Sequence, residues 1–259
     1  MLPMDRMVPA AGISNFRDYG GYPAAGGRLR KGSLFRSAHL GSVTPGDIDL
    51  IHDAGISCII DLRGDSERVE FPRPSGPDFR PRHYHADGET VTNAPHLAAD
   101  SPYQSVEMTR ARMINTYREF VGREQLLRAL RYYFDRLLDG PGAQLIHCHA
   151  GKDRTGFGVA LLHHILGVHQ DDIVEDYMLT NVARNIEAIL DHGQRTLSQK
   201  FGEPLPIDVV RVLMSTDAAY LEAAFDQARV DYGSVENFLE QKLGVGADEC
   251  EKLRARYIV

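Results

Sequence analysis

The sequence predicts an α/β fold with a central, mostly parallel, twisted sheet, helices on both faces and additional helices in the C-terminal half. Two short apolar runs, residues 57–61 and 143–147, have the length and composition of buried parallel strands. A helix with clear end signals precedes the first of them. From residue 171 onwards, apolar residues recur at helical spacing. Strands and helices therefore alternate first, and helices dominate later.

The first predicted helix carries signals at both ends. Thr44 is a favourable N-cap, Pro45 suits the first helical position, and Asp47 places a negative charge in the first turn. Gly55 ends the helix, and Ile56 begins the next strand. This order of elements is typical of a strand-helix-strand unit with parallel strands.

The middle of the chain has a different pattern. Residues 83–85 form a short predicted strand. Residues 87–103 show no periodicity and contain two prolines, which predicts a long surface loop near the active face. Helices are predicted over residues 105–121 and 123–138.

The second half is predicted to be helical apart from one strand. Residues 143–147 form that strand, and residues 155–167 form the helix that follows it. Further helical patterns occur at residues 171–180, 181–192, 206–214, 217–232, 235–243 and 247–257. No fixed-period repeat or low-complexity tract interrupts them.

The loop between the 143–147 strand and its helix is predicted to bind phosphate. Successive backbone N–H groups in a glycine-containing loop, backed by the positive end of a helix, form a concave anion site. The expected phosphate-binding residues are His149, Ala150, Gly151, Lys152, Asp153 and Arg154. No Gly-x-x-x-x-Gly-Lys-Ser/Thr motif is present, so a nucleoside triphosphate site of that kind is not expected.

Two side chains at the ends of this loop point to covalent chemistry. Cys148 lies where a helix N-terminus and nearby cations favour the thiolate, which is the nucleophilic form. Arg154 offers a planar fork that can hold two phosphate oxygens through the transition state. Thr155 could donate its hydroxyl to the sulfur. His147 and His149 provide too few ligands for a closed metal site, so no metal or cofactor is expected.

The string from His147 to Gly156 resembles the loop of the cysteine-based protein tyrosine phosphatases, in particular the atypical bacterial group that includes the mycobacterial phosphatase B type. The resemblance covers nearly the whole chain and extends to residues 15–21, 34–37, 60–63, 176–181 and 219–234. It implies a phosphatase-like sheet and a helical lid whose helices the sequence does not identify. The length and composition fit a single phosphatase domain over residues 1–259.

The resemblance also implies substrates. It indicates activity on phosphotyrosine in phosphoproteins or phosphopeptides, with phosphoserine, phosphothreonine and phosphoinositides as further substrates. Lys152 resembles the pattern of lipid-acting relatives, whereas His149 departs from it, because those enzymes commonly have a second lysine there. The alternatives are a phosphoinositide phosphatase and a phosphoprotein-binding module without turnover. A module of that kind would need no reactive thiol.

The general acid has three candidates. The chain contains no tryptophan, so the familiar Trp-Pro-Asp acid loop is impossible. The resemblance makes Asp153 the leading candidate, and its alternative role is to pair with Arg154 or Lys152. Asp61 is second because it ends a strand near the same crevice, although it could instead pair with an arginine. Asp87 is third, with a turn as its alternative role.

Composition restricts partners and location. The net charge of −7 argues against nucleic acid as the main partner, and no apolar stretch is long enough to span a membrane. The chain lacks the pattern of a signal peptide, which favours the cytoplasm and leaves signal-less export open. The three cysteines fit a reducing compartment. Cys58 is either an inert core thiol or a resolving partner for Cys148. The oligomeric state does not follow from the sequence.

Overall fold

A computed structural model of the protein describes residues 3–90 and 105–259. Its main sheet has five strands in the order β1-β4-β7-β5-β6, and β2 and β3 form a separate hairpin. In chain order the strands are β1 Arg17–Asp18, β2 Pro23–Ala24, β3 Gly27–Arg28, β4 Leu34–Ser37, β5 Ile56–Asp61, β6 Arg82–His85 and β7 Ala143–His147.

Strands β4, β7, β5 and β6 run parallel, and only the short edge strand β1 is antiparallel to its neighbour. Ser37 and Asp61 lie opposite His147 on the two sides of β7. The carboxyl ends of three strands therefore meet at one level, where open α/β sheets bind ligands. The predicted mostly parallel sheet is confirmed.

Helices surround the sheet and occupy most of the second half. In chain order they are α1 Pro45–Asp53, α2 Asp65–Glu70, α3 Val106–Arg118, α4 Glu124–Asp139, α5 Asp153–Ile165, α6 Gln170–Ala183, α7 Ile186–Phe201, α8 Ile207–Met214, α9 Ala218–Tyr232, α10 Val235–Leu243 and α11 Ala247–Tyr257. Short 3-10 turns occur at Pro3–Arg6 and Glu119–Gly122. The α/β class with additional C-terminal helices is confirmed.

The two faces of the sheet bury different clusters because successive strand residues point to opposite sides. On one face Ile59 and Leu145 pack with Ile51 of α1. On the other face Ile60 and Ile146 join a much larger cluster with side chains of α4, α5 and the C-terminal helices. Helices thus cover both faces, one thinly and one heavily.

Two helix starts differ from the prediction. Helix α5 begins at Asp153, two residues before the predicted start, so Asp153 and Arg154 belong to its first turn. The predicted helix over residues 181–192 is divided: α6 continues to Ala183 and α7 starts at Ile186. Asn185 causes the break because its φ of 45° lies in the left-handed region.

Helices α7 and α8 share a small hydrophobic cluster of their own. Leu190 of α7 packs with Val209 and Val210 of α8, apart from both faces of the sheet. Most of the predicted loop over residues 87–103 lies outside the described residues. No helix in the described ranges is long and apolar enough to cross a membrane.

Candidate active site

The predicted phosphate loop follows β7 and leads into α5. Cys148 comes directly after the last strand residue and is only 2% exposed. Asp153 and Arg154 form the first turn of α5, so the loop faces the positive end of that helix. The sulfur and the guanidinium are thus held at the two ends of one short loop, at the level where three strands end.

Gly151 is the position where this loop requires glycine. Its φ is +65°, in the left-handed region. A Cβ atom there would lie 2.2 Å from the carbonyl oxygen of Ser37 on the neighbouring strand β4. Because backbone cannot yield as a flexible side chain can, a larger residue would force the loop away from the sheet.

The carbonyl groups of the loop are held from outside. The backbone N–H of His39 donates to the carbonyl of His149 at 2.9 Å. Asn15 Nδ2 donates to the carbonyls of Ala150, at 3.3 Å, and Gly151, at 2.9 Å. In a trans peptide the N–H points opposite to the C=O. Outward carbonyls at residues 149–151 therefore turn the following amide hydrogens towards the centre of the loop.

A buried ionic group supports the same loop from below. Arg36 donates through Nη2 to the carbonyl of Gly151 at 2.9 Å and through Nη1 to Asp176 of α6 at 2.6 Å. Arg17 donates through Nη2 to the backbone carbonyl of Asp176 at 3.0 Å. Burial opposes ionisation, but the charges of Arg17 and Arg36 lower the pKa of Asp176 to about 2. Helix α6 is thus tied to the loop through a carboxylate that stays charged.

Arg154 is oriented by Glu67, a buried residue of α2. Its Nη1 donates to Glu67 Oε2 at 2.5 Å and its Nη2 donates to Oε1 at 2.7 Å. Nη1 also contacts the hydroxyl of Thr90 at 2.9 Å. Although burial favours the neutral acid, the charge of Arg154 lowers the pKa of Glu67 to about 2. The guanidinium is therefore held in one plane by a permanently charged fork.

Asp153 contacts a pair of buried tyrosines. The hydroxyl of Tyr117, on α3, donates to Asp153 Oδ1 at 2.6 Å. The hydroxyl of Tyr177, on α6, lies 2.5 Å from that of Tyr117. Lys152 Nζ lies 3.5 Å from the same Oδ1, so the lysine pairing considered for Asp153 is present. The alternative pairing with Arg154 is not, because that side chain is paired with Glu67.

Two cations beside the loop hold the end of α8. Lys152 Nζ donates to the carbonyls of Leu213, at 2.6 Å, and Ser215, at 3.2 Å. Arg184 donates to the carbonyl of Met214 at 2.8 Å. Cations suit the last turn of a helix, where carbonyls lack intrahelical partners. The side chain of Lys152 is therefore directed to α8, and Lys152 itself is only 3% exposed.

The other two candidate acids are placed differently. Asp61 is 1% exposed and accepts hydrogen bonds from Arg63, with Nη2 at 2.7 Å and Nε at 2.9 Å. Burial opposes ionisation, but His147 and Arg63 lower the pKa of Asp61 far below its usual value. The carboxylate of Asp87 is exposed and lies 3.7 Å from His85. Asp61 thus pairs with an arginine, which is the alternative role that the sequence indicated for it.

The two histidines on either side of Cys148 occupy different surroundings. His147 is buried and its Nδ1 lies 3.1 Å from the carbonyl oxygen of Cys148, consistent with a role in holding the loop backbone. The ring of His149 lies 5.0 Å from those of both His39 and Phe71. Burial, and then the charge of Arg63, lower the pKa of His39 to about 4. On this side of the loop, the ring of His39 is therefore largely uncharged near pH 7.

Cys58 cannot reach Cys148 in this fold. It lies opposite Gln144 on β7, four residues before Cys148. At ~3.3 Å per strand residue that offset is about 13 Å, whereas a disulfide needs Cα atoms within about 7 Å of each other. Burial also raises the pKa of Cys58 to about 11. Cys58 is thus a core thiol, and the idea of a resolving partner is wrong.

Comparison with known proteins identifies the family. The profile described as "Tyrosine phosphatase family" matches residues 8–259. The chain belongs to the tyrosine phosphatase family. Its members with this loop are cysteine-based enzymes, so the protein is a cysteine-dependent protein tyrosine phosphatase, as the motif predicted.

Three relatives of this phosphatase span most of the chain. A protein of Cupriavidus necator, provisionally named a tyrosine-protein phosphatase, is 33% identical over 95% of this chain and 86% of its own length. The triple specificity protein phosphatase PtpB of Mycobacterium tuberculosis is 31% identical over 94% of this chain and 96% of its own. A tyrosine-protein phosphatase of Nostoc commune is 26% identical over 86% and 74%, respectively.

Several contacts of the phosphatase loop were not foreseen from the sequence. Glu67 lies 87 residues before its partner Arg154, and Tyr117 lies 36 residues before Asp153. The sequence likewise carries no signal for Arg184, because this residue follows a helical run that contains no motif. The segments around Asn15 and Arg36 were noted through the family resemblance, but not as supports of the loop. Only the packing of distant elements brings these residues together.

Proposed function

We propose that the protein hydrolyses phosphomonoesters through a cysteinyl-phosphate intermediate, with Cys148 as nucleophile. The observation that carries this assignment is the position of the buried thiol at the mouth of a loop whose carbonyls are tied outwards, at the N-terminus of α5. Amide hydrogens and a helix terminus aimed at one point stabilise both a thiolate and a phosphate. A module that only binds phosphoprotein needs no such sulfur.

The phosphate is assigned to the loop amides of residues 149–154 and to Arg154. Among the residues that the structure describes, Glu67 takes the end of the guanidinium formed by Nη1 and Nη2. The side formed by Nε and Nη2 is therefore the edge that we assign to two phosphate oxygens. Glu67 fixes the plane of the fork before substrate arrives, so little reorganisation remains for the transition state.

Asp153 is assigned as the general acid and base. In the first step the thiolate attacks phosphorus, the P–O bond breaks, and Asp153 gives its proton to the departing oxygen. In the second step the Asp153 carboxylate takes a proton from water as that water attacks phosphorus and the S–P bond breaks. The buried hydroxyl of Thr155 has no partner among the described residues, and we assign to it the role of donating to the departing sulfur.

Asp61 and Asp87 have no chemical step in this assignment. Both oxygens of Asp61 are occupied by Arg63, and its low pKa leaves no proton to give near neutral pH. Asp87 is exposed, and its carboxylate lies 3.7 Å from His85. We assign to Asp61 the role of orienting Arg63. Arg63 in turn donates to the carbonyl of Phe71, whose ring contacts those of His39 and His149.

The substrates are proposed to be phosphotyrosyl proteins, with phosphoserine and phosphothreonine also accepted. One relative that aligns with 94% of the chain is named a triple specificity phosphatase, which supports a broad range. Phosphoinositides rank lower, because Lys152 donates to α8 carbonyls instead of facing the loop centre and His149 replaces a lysine. The free thiols of Cys58, Cys148 and Cys250 fit the expected cytoplasmic location.

Helices α7 and α8 are proposed as the lid that the family resemblance implies. They share a separate hydrophobic cluster, and α8 contacts the loop through carbonyls bound by Lys152 and Arg184. A unit with its own small core can move as a body while the sheet stays intact. Residues 1–259 are proposed to form the single phosphatase domain that the sequence predicts.

Two variants test the proposed chemistry. Cys148→Ser should abolish turnover while retaining phosphopeptide binding, because a hydroxyl is far harder to ionise than a thiol. Asp153→Asn should lower kcat/KM for phenyl phosphate about 100-fold and for p-nitrophenyl phosphate much less, because kcat/KM ends at cleavage of the P–O bond and only the poorer leaving group needs the proton. The kcat/KM values on both substrates and phosphopeptide titrations provide the measurement. Wild-type rates for Cys148→Ser, or equal losses on both substrates for Asp153→Asn, would refute the respective role.

A further inference from the structure

The general acid assigned above is held by a chain of hydroxyl groups that begins on another helix. Tyr117 and Asp153 are joined at 2.6 Å, and Tyr117 and Tyr177 at 2.5 Å. Both tyrosines are at most 1% exposed, so no bulk water competes for these bonds. Their position next to the reacting carboxyl is a feature that the catalytic loop alone does not explain.

Proton counting fixes the direction of this chain. A tyrosine hydroxyl has one proton, and Tyr117 donates it to Asp153. The bond between the two tyrosines must then be donated by Tyr177. Burial, together with the negative charge of Asp153, raises the pKa of Tyr117 well above 10, so this donor keeps its proton throughout the working pH range.

This arrangement leaves the two oxygens of Asp153 unequal. Oδ1 accepts from Tyr117 and lies 3.5 Å from Lys152 Nζ, whereas no hydrogen bond to Oδ2 is found among the described residues. The transferable proton therefore belongs on Oδ2. The hydrogen bond that Tyr117 donates to Oδ1 also stabilises the carboxylate that remains after the proton has been transferred from Oδ2.

The position of Tyr177 depends on the loop motif itself. A Cβ atom at Gly156 would lie 2.7 Å from the Tyr177 ring, so this glycine lets α6 approach α5 closely enough for the hydroxyl chain to form. Tyr117 also packs against the ring of Tyr220, with the centroids 5.7 Å apart. The hydroxyl pair is thus held in place by the packing of α3, α5, α6 and α9.

We propose that Tyr117, supported by Tyr177, is a positioning residue that selects Oδ2 of Asp153 as the proton-donating oxygen and sets the pH range over which it donates. This inference rests on the proposed role of Asp153 as general acid. Other ionisable groups of the described residues that interact with Asp153 are Lys152, Arg154, Arg184, Tyr177 and Tyr220.

The test is Tyr117→Phe, which removes one hydroxyl and keeps the ring. We expect kcat/KM for phenyl phosphate to fall about tenfold and kcat/KM for p-nitrophenyl phosphate to fall less than about twofold. The basic limb of the kcat/KM profile should move to higher pH by about one unit, because the carboxylate has lost a donor. Tyr177→Phe should shift both quantities in the same direction by a smaller amount.

Tyr133→Phe is the matched control. Tyr133 is also fully buried, and its hydroxyl lies 2.7 Å from that of Tyr19. This hydroxyl pair is separate from the chain that joins Tyr177, Tyr117 and Asp153. Removing it should leave the leaving-group dependence and the pH profile unchanged. Thermal melting of each variant establishes that the compared proteins are folded.

A double variant separates this inference from the function on which it rests. In an Asp153→Asn background, Tyr117→Phe should change neither the leaving-group dependence nor the pH profile further. If Asp153→Asn acts as expected but Tyr117→Phe slows both substrates equally without moving the pH limb, the positioning role is refuted. If Asp153→Asn itself shows no leaving-group dependence, the assignment of the acid fails instead.

Discussion

At the scale of single residues, the site depends on charged side chains whose partners are already in place. Arg154 is held by Glu67, Arg36 by Asp176, and each carboxylate stays ionised because its arginine outweighs the cost of burial. Such pairs contribute orientation more than stability, since buried ion pairs barely repay their desolvation. We propose that their function is to fix the phosphate loop and Arg154 in place before substrate binds.

Glu67→Gln tests this orientation at one residue. The amide keeps the shape but offers only one acceptor, so Arg154 loses half of its charged fork. We expect kcat/KM on phosphotyrosyl peptide to fall by about tenfold or more, because a hydrogen bond to a charged group is worth about 1.5–3 kcal/mol. Glu70→Gln, on the same helix but exposed, is the control and should stay within about twofold. Equal activities of the two variants would contradict the role of Glu67.

At the scale of elements, local signals predict positions well where one segment decides the outcome. The strand Ala143–His147 is predicted to the residue, and Thr44 is the N-cap as expected. The structure adds that Asp47 completes a capping box with Thr44. The start of α5 is missed because Asp153 and Arg154 are polar residues next to a glycine-containing loop, and no side-chain cap marks the start of the helix before them. The division at Asn185 is missed because asparagine carries only a weak preference for a left-handed turn.

The attachment of α8 to the loop gives a second prediction at this scale. Lys152→Met removes the ammonium that binds the carbonyls of Leu213 and Ser215 and leaves them without that partner. Amide hydrogen exchange within residues 186–215 should then accelerate about tenfold or more, while β5 and β7 stay protected.

Arg211→Met is the control for Lys152→Met. Arg211 pairs with Glu187 across the outer side of the same two helices, and its side chain is 41% exposed. Loss of an exposed pair costs little, so exchange in residues 186–215 should stay nearly constant. Acceleration by Arg211→Met but not by Lys152→Met would show that the loop does not anchor α8.

At the scale of the whole molecule, the family and the fold class follow from one motif and the alternation of elements, whereas the supports of the site do not. Bonds that hold the phosphate loop reach it from β4, α2 and the segment at Asn15, and α6 supports it through Arg36 of β4. These elements are far apart in sequence. Sequence patterns report neighbours along one helix or strand. They carry no information on which distant arginine meets which carboxylate, so these contacts needed three-dimensional coordinates.

The same network predicts acid sensitivity of the whole fold. Glu67 and Asp176 have folded-state pKa values near 2, below their ordinary values of 4.5 and 3.8. Groups with lowered pKa values contribute stability that is complete above the unfolded pKa and is lost as pH falls through the folded one. The free energy of unfolding should therefore decrease from about pH 5 to about pH 2.

Urea unfolding at several pH values measures this decrease. Asp176→Asn lowers stability at neutral pH, because Arg17 and Arg36 are then buried without their carboxylate. Its disadvantage relative to the wild type should narrow as the pH approaches 2, where the wild-type carboxyl also becomes neutral. A constant difference between pH 6 and pH 3 would contradict the assignment of the acid-sensitive charge to Asp176.

Adjacent residues of α6 serve the two halves of the site. Asp176 reaches the loop through Arg36, and Tyr177 reaches Asp153, the proposed proton donor, through Tyr117. A single turn of one helix thus positions the residues proposed for sulfur attack and for protonation of the departing group. Any insertion or deletion between residues 170 and 176 rotates that turn by about 100° per residue and misaligns both at once. Among homologous chains, the segment between residues 170 and 176 should therefore keep its length even where its amino acids differ.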